Sequence, residues 1–305
     1  MADIDWSEHY IRRGDPSKPT YYIIRQKVQV GLFALYKIFA SHIAYALTNG
    51  WIPVVDLQNY PNAYLPPEKL GMENAWEYYF EQPFHIGLEQ AYNGDNIILS
   101  RGEVVYPMPY EVMVFLENRY GILSEWRMLV KLGLLKVKPA LVREALSIRK
   151  ELFAPDERVL GVHLRGTDYN TMRPYNHPIQ PPVEFAVSKT VELLPDWNCD
   201  KIFLATEDES IADIFKDFFK ENCVTLDRAY IDYKDGDWIT SQRIDRANDH
   251  FLQGKEYLME IILLSTCTSF IGSRNSGSVG VMMFADKFEH TYFFNLGRYG
   301  MVTLD

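Results

Sequence analysis

The residues best suited to chemistry follow three predicted strands in the second half of the chain. They lie in the segments 163–169 (HLRGTDY), 206–210 (TEDES) and 273–278 (SRNSGS). Because ligands of an open parallel sheet bind beyond the carboxyl ends of its strands, we expect these segments to meet in one crevice. Such a crevice would bring together an arginine, a cluster of carboxylates and a Ser/Gly-rich helix start.

This set of groups suits a nucleotide diphosphate. Arg165 can form two charge-assisted hydrogen bonds to one phosphate, each worth about 1.5–3 kcal/mol. A helix that begins near Ser276 offers free backbone N–H groups and the positive end of its dipole, where phosphate binds well. Glu207 or Asp208 can accept a hydrogen bond from a ribose or from the N–H edge of a base.

Each of these features also has a purely structural interpretation. Arg165 can form a surface ion pair, and a Ser-Gly pair is a common helix cap. Residues 207–209 (EDE) are typical of a helix N-terminus, where the dipole stabilises acidic side chains. The aromatic run 76–80 (WEYYF) can form a sugar-stacking platform, although aromatic residues at helical spacing more often belong to a core. Only the predicted position at three strand ends favours a ligand site.

Composition and charge narrow the class of protein. The 305 residues are 47% hydrophobic and 24% charged, as in a soluble globular protein, and the net charge of −10 argues against broad nucleic-acid binding. The three cysteines lack metal-ligand spacing, which predicts reduced core thiols. We find no stretch that could span a bilayer and no signal peptide. We therefore expect a cytoplasmic protein, in contact at most peripherally with the inner face of a membrane.

Alternating strands and helices must position the chemical groups. In the first half, a β-rich run at 21–25, an apolar helix at 32–47 and a strand at 51–55 form a β-loop-α-β unit. Further helical patterns occur at 74–80 and 109–118. A basic amphipathic helix is predicted over 125–153; such a helix can present a solvated face or lie on an anionic membrane.

The second half resembles a doubly wound α/β domain. The helical pattern breaks at 154–156 (APD), so we predict a first α/β domain over 1–155 and a second over 156–305. The whole chain would then be two Rossmann-like domains facing a cleft. In the second domain we predict strands at 158–164, 201–206, 224–226, 269–273 and 292–296, and helices at 183–194, 210–220, 250–265 and 277–284.

Several segments resemble a known family. HLRGTDYNTMRPYNHPI resembles the first motif of the α1,6-fucosyltransferase superfamily, which runs HVRRTDK followed by HPI at similar spacing. IFLATEDES is similar to the second motif of that family, and LLSTCTSFIGSRNSGSVG to the third. The superfamily includes the core fucosyltransferase of N-glycans, the nodulation-factor fucosyltransferase and, more distantly, the α1,2- and protein O-fucosyltransferases. Residues 30–60 are similar to the Gly-loop, helix and strand of its first domain.

The resemblance implies a GT-B-like fold, a GDP-fucose donor and inverting transfer without a metal. It implies that Arg165 contacts the donor diphosphate, that His163 lies beside the guanine and that Asp168 orders this loop. It also matches Glu207 and Asp208 to an acidic pair of the second motif. The implied donor-binding set is His163, Arg165, Glu207, Asp208, Asn275, Ser276, Gly277 and Ser278.

Two positions depart from the family pattern and bear on catalysis. Gly166 replaces the second arginine of HVRR, and Arg173 stands where some relatives have a glutamate proposed as base. Arg165 would stabilise the charge that builds on the leaving diphosphate. Asp168 and Asp56 are the candidates for a base that takes the proton of the acceptor hydroxyl.

The main hypothesis is therefore a fucosyltransferase that uses GDP-fucose and a glycan acceptor in cell-surface polysaccharide or glycoconjugate synthesis. It needs no cofactor and no metal, and it leaves a lipid-linked acceptor open. One alternative is a metal-dependent GT-A-type transferase that uses a UDP-sugar, with Asp235 and Asp237 as a DxD pair for Mn²⁺. Another alternative is a nucleotide- or glycan-binding protein without catalysis. It is supported by Gly166 in place of the second arginine and by the absence of the glutamate proposed as base.

Overall fold

A computed structural model of the chain describes residues 11–25, 30–101, 121–231, 233 and 236–301. These residues form two compact α/β units. Described residues up to Pro139, together with His250–Lys255, make up the first unit, and Ala140–Asp249 with the residues from Glu256 onward make up the second. The predicted α/β class is confirmed. The helix predicted at 109–118 lies outside the described residues.

The first unit contains a four-stranded sheet in the order β1-β4-β2-β3. The central strand β2 pairs in parallel with both neighbours, and β1 pairs antiparallel with β4. Three-residue 3₁₀ turns occur at Pro67–Lys69 and Pro83–His85. The other elements are β1 Ile11–Arg12, β2 Thr20–Arg25, α1 Leu32–Thr48, β3 Ile52–Asp56, α2 Trp76–Tyr79, α3 Leu88–Tyr92, β4 Asn96–Leu99 and α4 Ile122–Lys131.

Helix α1 is buried on nearly every side, as its uniformly apolar sequence predicts. It ends at Asn49 and Gly50, and Gly50 has the left-handed φ of +71° that glycine adopts cheaply. The predicted stop is therefore confirmed. Trp76 and Tyr79 of α2 are both buried, so the core interpretation of the aromatic run is the correct one.

The prediction of a single basic helix over 125–153 is wrong. Two helices occupy this stretch, α4 and a second helix that begins at Pro139. Gly133 follows α4 with a φ of +75°, which ends a helix, and proline at the first helical position starts the next one favourably. The apolar periodicity continues across the boundary between the two helices, so it predicts one helix although Gly133 and Pro139 mark the boundary.

The second unit contains a five-stranded, all-parallel sheet in the order β7-β6-β5-β8-β9. The chain order reverses between the neighbours β5 and β8, which is where ligands of open α/β sheets bind. Two further 3₁₀ turns lie at Lys220–Asn222 and Ile239–Ser241. Its elements are α5 Pro139–Leu152, β5 Val159–His163, α6 Thr167–Met172, α7 Val183–Asp196, β6 Lys201–Ala205, α8 Glu209–Phe219, β7 Cys223–Thr225, α9 Asp249–Ser265, β8 Ser269–Ser273, α10 Ser276–Phe284 and β9 Thr291–Phe294.

The core of this unit explains why its strands are almost continuously apolar. Helices cover the sheet, so every residue of β5 is buried, and Leu160 and Val162 pack in one cluster with Phe215 of α8. Gly161 lets the helix α9 approach the sheet, because a Cβ there would lie 3.1 Å from Cδ2 of Leu264 in α9. The predicted core position of the cysteines is confirmed: Cys199, Cys223 and Cys267 are buried free thiols.

Candidate active site

The switch point of the second sheet brings His163 against the start of α10. The Nδ1 atom of His163 lies 3.0 Å from the hydroxyl of Ser278. A Cβ on Gly277 would lie 2.4 Å from both the His163 ring and the Tyr257 hydroxyl, so only glycine permits this approach. Burial, together with the charge of Arg165, lowers the pKa of His163 to about 3. The histidine is therefore neutral at physiological pH.

Asn275 forms the N-cap of α10. Its side-chain carbonyl accepts a hydrogen bond from the Ser278 N–H at 3.0 Å, and its amide donates to the Ser273 hydroxyl at 2.8 Å. Among the described residues, the backbone N–H groups of Ser276 and Gly277 have no hydrogen-bond acceptor. The helix start thus retains donors and a positive dipole end for an anion.

Arg165 is fixed on two sides and retains donors on a third. Its Nη2 donates to both oxygens of Asp168 at 3.0 Å, and its Nε donates to Oδ1 at 3.3 Å. The guanidinium carbon lies 4.1 Å from the centroid of the Tyr169 ring. The side chain is 22% exposed, and its Nη1 donates to none of the described residues. A preoriented guanidinium of this kind can donate to a phosphate oxygen with little loss of side-chain entropy.

The acidic pair after β6 holds the loop that carries Arg165. Glu207 accepts from the Gly166 N–H at 2.9 Å and from the Thr167 hydroxyl at 3.0 Å. One oxygen of Asp208 accepts from the Thr167 N–H at 3.2 Å, and the other caps α8 through the N–H groups of Ser210 and Ile211. These carboxylates were predicted to bind the GDP-sugar donor. Their described hydrogen bonds are instead made to groups of the protein.

The same contacts explain the departure at Gly166. A Cβ at this position would lie 2.1 Å from Oδ2 of Asp208 and 2.8 Å from the Asp208 Cβ. No side chain fits without displacing Asp208. The second arginine of the family pattern is therefore sterically incompatible with this loop.

The Asp56 carboxylate lies at the end of β3 in the first unit and is fully buried. Oδ1 accepts from the N–H groups of Gln58 and Asn59, at 2.9 and 3.1 Å. Oδ2 accepts from the Asn59 side chain at 2.8 Å and from the Tyr92 hydroxyl at 2.6 Å. Each oxygen already accepts two hydrogen bonds.

A buried ion pair escaped the sequence analysis. Arg228 Nη1 lies 2.8 Å from Glu260 Oε2, and both side chains are more than nine-tenths buried. Burial raises the pKa of Glu260 to about 7 against the opposing effect of Arg228, and Glu207 adds to the rise. Glu260 interrupts the apolar run 258–264 of α9, and a lone charge in such a run was the available signal.

An aromatic group around Arg165 was also missed. The hydroxyl of Tyr169 lies 2.9 Å from His177 Nδ1, and the ring of Trp238 lies 6.5 Å from each of these two rings. The N–H of Ile239 donates to Asp168 at 3.2 Å, which ties this segment to the Arg165 loop. Trp238 directly follows the sequence Asp-Gly-Asp at 235–237, and Asp-Gly pairs are common in turns, so no local pattern predicts this contact.

The remaining predicted positions have simpler environments. Asp235 lies outside the described residues, and Asp237 accepts a hydrogen bond from the Trp238 N–H at 2.9 Å. Within the described ranges, no group of three or more His, Cys, Asp or Glu side chains could hold a metal ion. Arg173 is exposed and ends α6 with a φ of +45°.

Two α/β units with largely parallel sheets, the second with Arg165 and a capped helix start at its strand ends, are typical of a GT-B-like architecture. The chain is similar to the NodZ alpha-1,6-fucosyltransferase soaked with GDP-fucose, at 15% identity and a TM-score of 0.54 over 93% of this chain and 98% of that chain. The fucosyltransferase NodZ from Bradyrhizobium gives a TM-score of 0.52 at 15% identity, with the same coverage of 93% and 98%. POFUT1 in complex with GDP gives 0.52 at 8% identity, over 94% and 100%.

These similarities establish the fold. The predicted GT-B-like fold is thereby confirmed, and the fold is similar to that of the NodZ and POFUT1 structures. No family model and no curated protein matches the sequence. None of the described helices has the length and apolar character needed to cross a membrane.

Proposed function

We propose that this protein is an inverting fucosyltransferase that transfers fucose from GDP-fucose to a glycan acceptor without a metal. The observation that carries the proposal is Arg165, which Asp168 and Tyr169 hold at the end of β5. The neighbouring strand β8 leads into the start of α10, which retains free N–H donors. The structures of similar fold were soaked with GDP-fucose or hold GDP, which supports this choice of donor. We further propose that it acts in the cytoplasm on a cell-surface glycan precursor.

In the proposed reaction, the acceptor hydroxyl oxygen attacks the anomeric carbon of fucose from the face opposite GDP. The bond between that carbon and the β-phosphate oxygen breaks, and its electron pair leaves with GDP. Arg165 and the N–H groups of Ser276 and Gly277 stabilise the charge that develops on the diphosphate. His163, being neutral, positions the start of α10 through Ser278 without adding charge.

The acceptor proton must leave during or after the attack. Asp168 and Asp56 remain the proposed candidates for the base, but both are buried and accept several hydrogen bonds. A base with engaged oxygens gives weak assistance, which suits a transition state in which bond breaking runs ahead of bond making. We therefore propose that leaving-group stabilisation by Arg165 supplies the larger part of catalysis.

The first test is a thermal-shift panel of GDP, UDP, ADP and CDP, each with and without Mn²⁺. GDP at one hundred times its Kd should stabilise the fold by about 2.7 kcal/mol, with or without Mn²⁺. A shift by UDP that requires Mn²⁺ would favour the DxD alternative of Asp235 and Asp237. The absence of any nucleotide shift would refute the proposal.

The second test measures GDP release from GDP-fucose by the wild type and by Arg165→Lys. Lysine preserves the charge beside Asp168 but loses the forked geometry, so we expect a fall of about 100-fold or more. Arg173→Lys, at the exposed end of α6, is the control for the same exchange and should retain full turnover. GDP binding without turnover by the wild type would instead indicate a binding protein that lacks catalysis.

A further inference from the structure

Trp238 is an exposed aromatic side chain on a fixed backbone. It exposes 41% of its surface. The Ser241 N–H and hydroxyl both donate to its carbonyl, at 2.9 and 2.6 Å, and the following N–H, of Ile239, donates to Asp168. Its position is thus tied to the carboxylate that holds Arg165. Tryptophan is enriched among the residues that contribute most to binding surfaces.

The neighbours of Trp238 connect it to the proposed reaction centre. Its ring lies 6.5 Å from the ring of Tyr169, and Tyr169 also contacts the guanidinium of Arg165. A ligand on the exposed part of Trp238 would therefore be connected through Trp238 and Tyr169 to Arg165, which is proposed to bind the leaving diphosphate.

A pocket is built on segments of the chain that also support Trp238. It has a volume of about 480 Å³, and its walls include Asn170, Thr171, Glu209 and Tyr233. Asn170 directly follows Tyr169 in α6, and the Tyr233 hydroxyl donates to the carbonyl of Asp237, the residue before Trp238, at 2.9 Å. The pocket and Trp238 therefore share their supporting segments.

The chemistry of this surface selects one class of ligand. An aromatic face packs against the apolar C–H face of a pyranose, and amide, hydroxyl and carboxylate groups bind its hydroxyls. The wall residues Asp208 and Glu209 disfavour an anion such as a second phosphate, because their charges repel it. A neutral sugar satisfies both requirements, whereas a nucleotide satisfies only the aromatic one.

We propose that Trp238 and this pocket form a subsite for a sugar residue of the acceptor. The inference rests on the proposed function, since it assigns the acceptor side of the same reaction. Trp238 would supply the stacking face, and Asn170 and Glu209 would bind the hydroxyls. The acceptor hydroxyl is thereby directed toward the fucose held at Arg165.

The test follows GDP release from GDP-fucose with methyl glycosides of N-acetylglucosamine, galactose and mannose as acceptor probes. We expect at least one probe to increase GDP release by the wild type in a saturable manner. Trp238→Ala should raise its half-saturating concentration by about tenfold or more, and Trp238→Phe should restore most of the effect. Asn170→Ala should weaken the same probe.

The controls separate this inference from the proposed function. Phe218→Ala removes another aromatic side chain of the second unit, 59% exposed, and should behave as the wild type. GDP release without a sugar is measured for the wild type and for each variant, and the response to each probe is expressed relative to that value. If no probe alters GDP release, or if Trp238→Ala responds as the wild type does, the subsite is refuted while the transferase proposal stands. A wild type that releases no GDP from GDP-fucose refutes both.

Discussion

At the scale of residues, the loop after β5 is defined by mutual dependence between Gly166 and Asp208. Asp208 caps α8 with one oxygen and holds the Thr167 N–H with the other. That arrangement brings Asp208 against the Gly166 α-carbon. Glu207 holds the same loop by accepting a hydrogen bond from the Gly166 N–H. The acidic pair therefore determines where Arg165 lies. A positioning role of this kind is distinct from contact with the donor.

Gly166→Ala tests this dependence. The new Cβ must displace Asp208, so we expect the free energy of unfolding to fall by about 1–3 kcal/mol and the GDP-induced thermal shift to shrink. Gly166→Arg, which restores the second arginine of the family pattern, should weaken GDP binding further despite its added positive charge. Gly87→Ala is the control, because a Cβ there meets no atom within 4 Å. Tighter GDP binding by Gly166→Arg would contradict the steric argument.

At the scale of elements, two sequence features place the N-terminus of the helix α10 at the switch point. Asn275 caps it, and Gly277 permits close approach to His163. Elsewhere local signals compete: the apolar pattern over 125–153 favours one helix, but Gly133 and Pro139 divide it into α4 and α5. Capping and backbone geometry decide where helices begin and end, even when hydrophobic periodicity continues.

Asn275→Ala removes the cap of α10. Loss of an N-cap side chain costs about 1 kcal/mol of stability, with a range of about 0.5–2 kcal/mol. The variant should also bind GDP more weakly, because the N–H groups at the start of the helix lose their fixed orientation. Ser276→Ala changes the adjacent side chain without touching the cap, so chemical denaturation should show a smaller loss. Equal stability losses in the two variants would contradict the capping role of Asn275.

At the scale of the whole molecule, stability and the site are linked through buried ionisable groups. Burial lowers the pKa of His163 to about 3 from an ordinary value near 6.5. The unfolded chain therefore binds a proton before the folded one does as the pH falls. The contribution of neutral His163 is complete above about pH 6.5 and is lost progressively toward pH 3.

His163→Gln should make the free energy of unfolding less dependent on pH in this window. The wild type should lose stability on the order of a few kcal/mol more than the variant between pH 6.5 and pH 3. Urea denaturation at several pH values measures the difference. His85→Gln, at a side chain that is 79% exposed, is the control and should follow the wild type. Parallel curves for the wild type and His163→Gln would contradict burial of a neutral histidine.

The outline of both sheets was predictable because burial imposes a local pattern. Strands β2, β3, β5, β6 and β8 carry apolar runs, and the helix α1 carries an Asn-Gly stop, so their positions follow from nearest neighbours along the chain. The domain limits of 1–155 and 156–305 stay a prediction, which limited proteolysis would test. The resemblance to fucosyltransferases rests on the same strand ends, since a parallel sheet collects its polar residues there.

The partners of the side chains were not predictable in this way. The sequence by itself determined that His163 and Arg165 lie at the carboxyl end of one strand and the Ser276 helix start at that of another, because period and capping are short-range properties. Only the tertiary structure decided that Asp208 excludes a side chain at Gly166, and that Trp238 lies beside Tyr169, 69 positions earlier in the chain. Such contacts depend on how loops from different strands pack in three dimensions, and no local pattern encodes that packing.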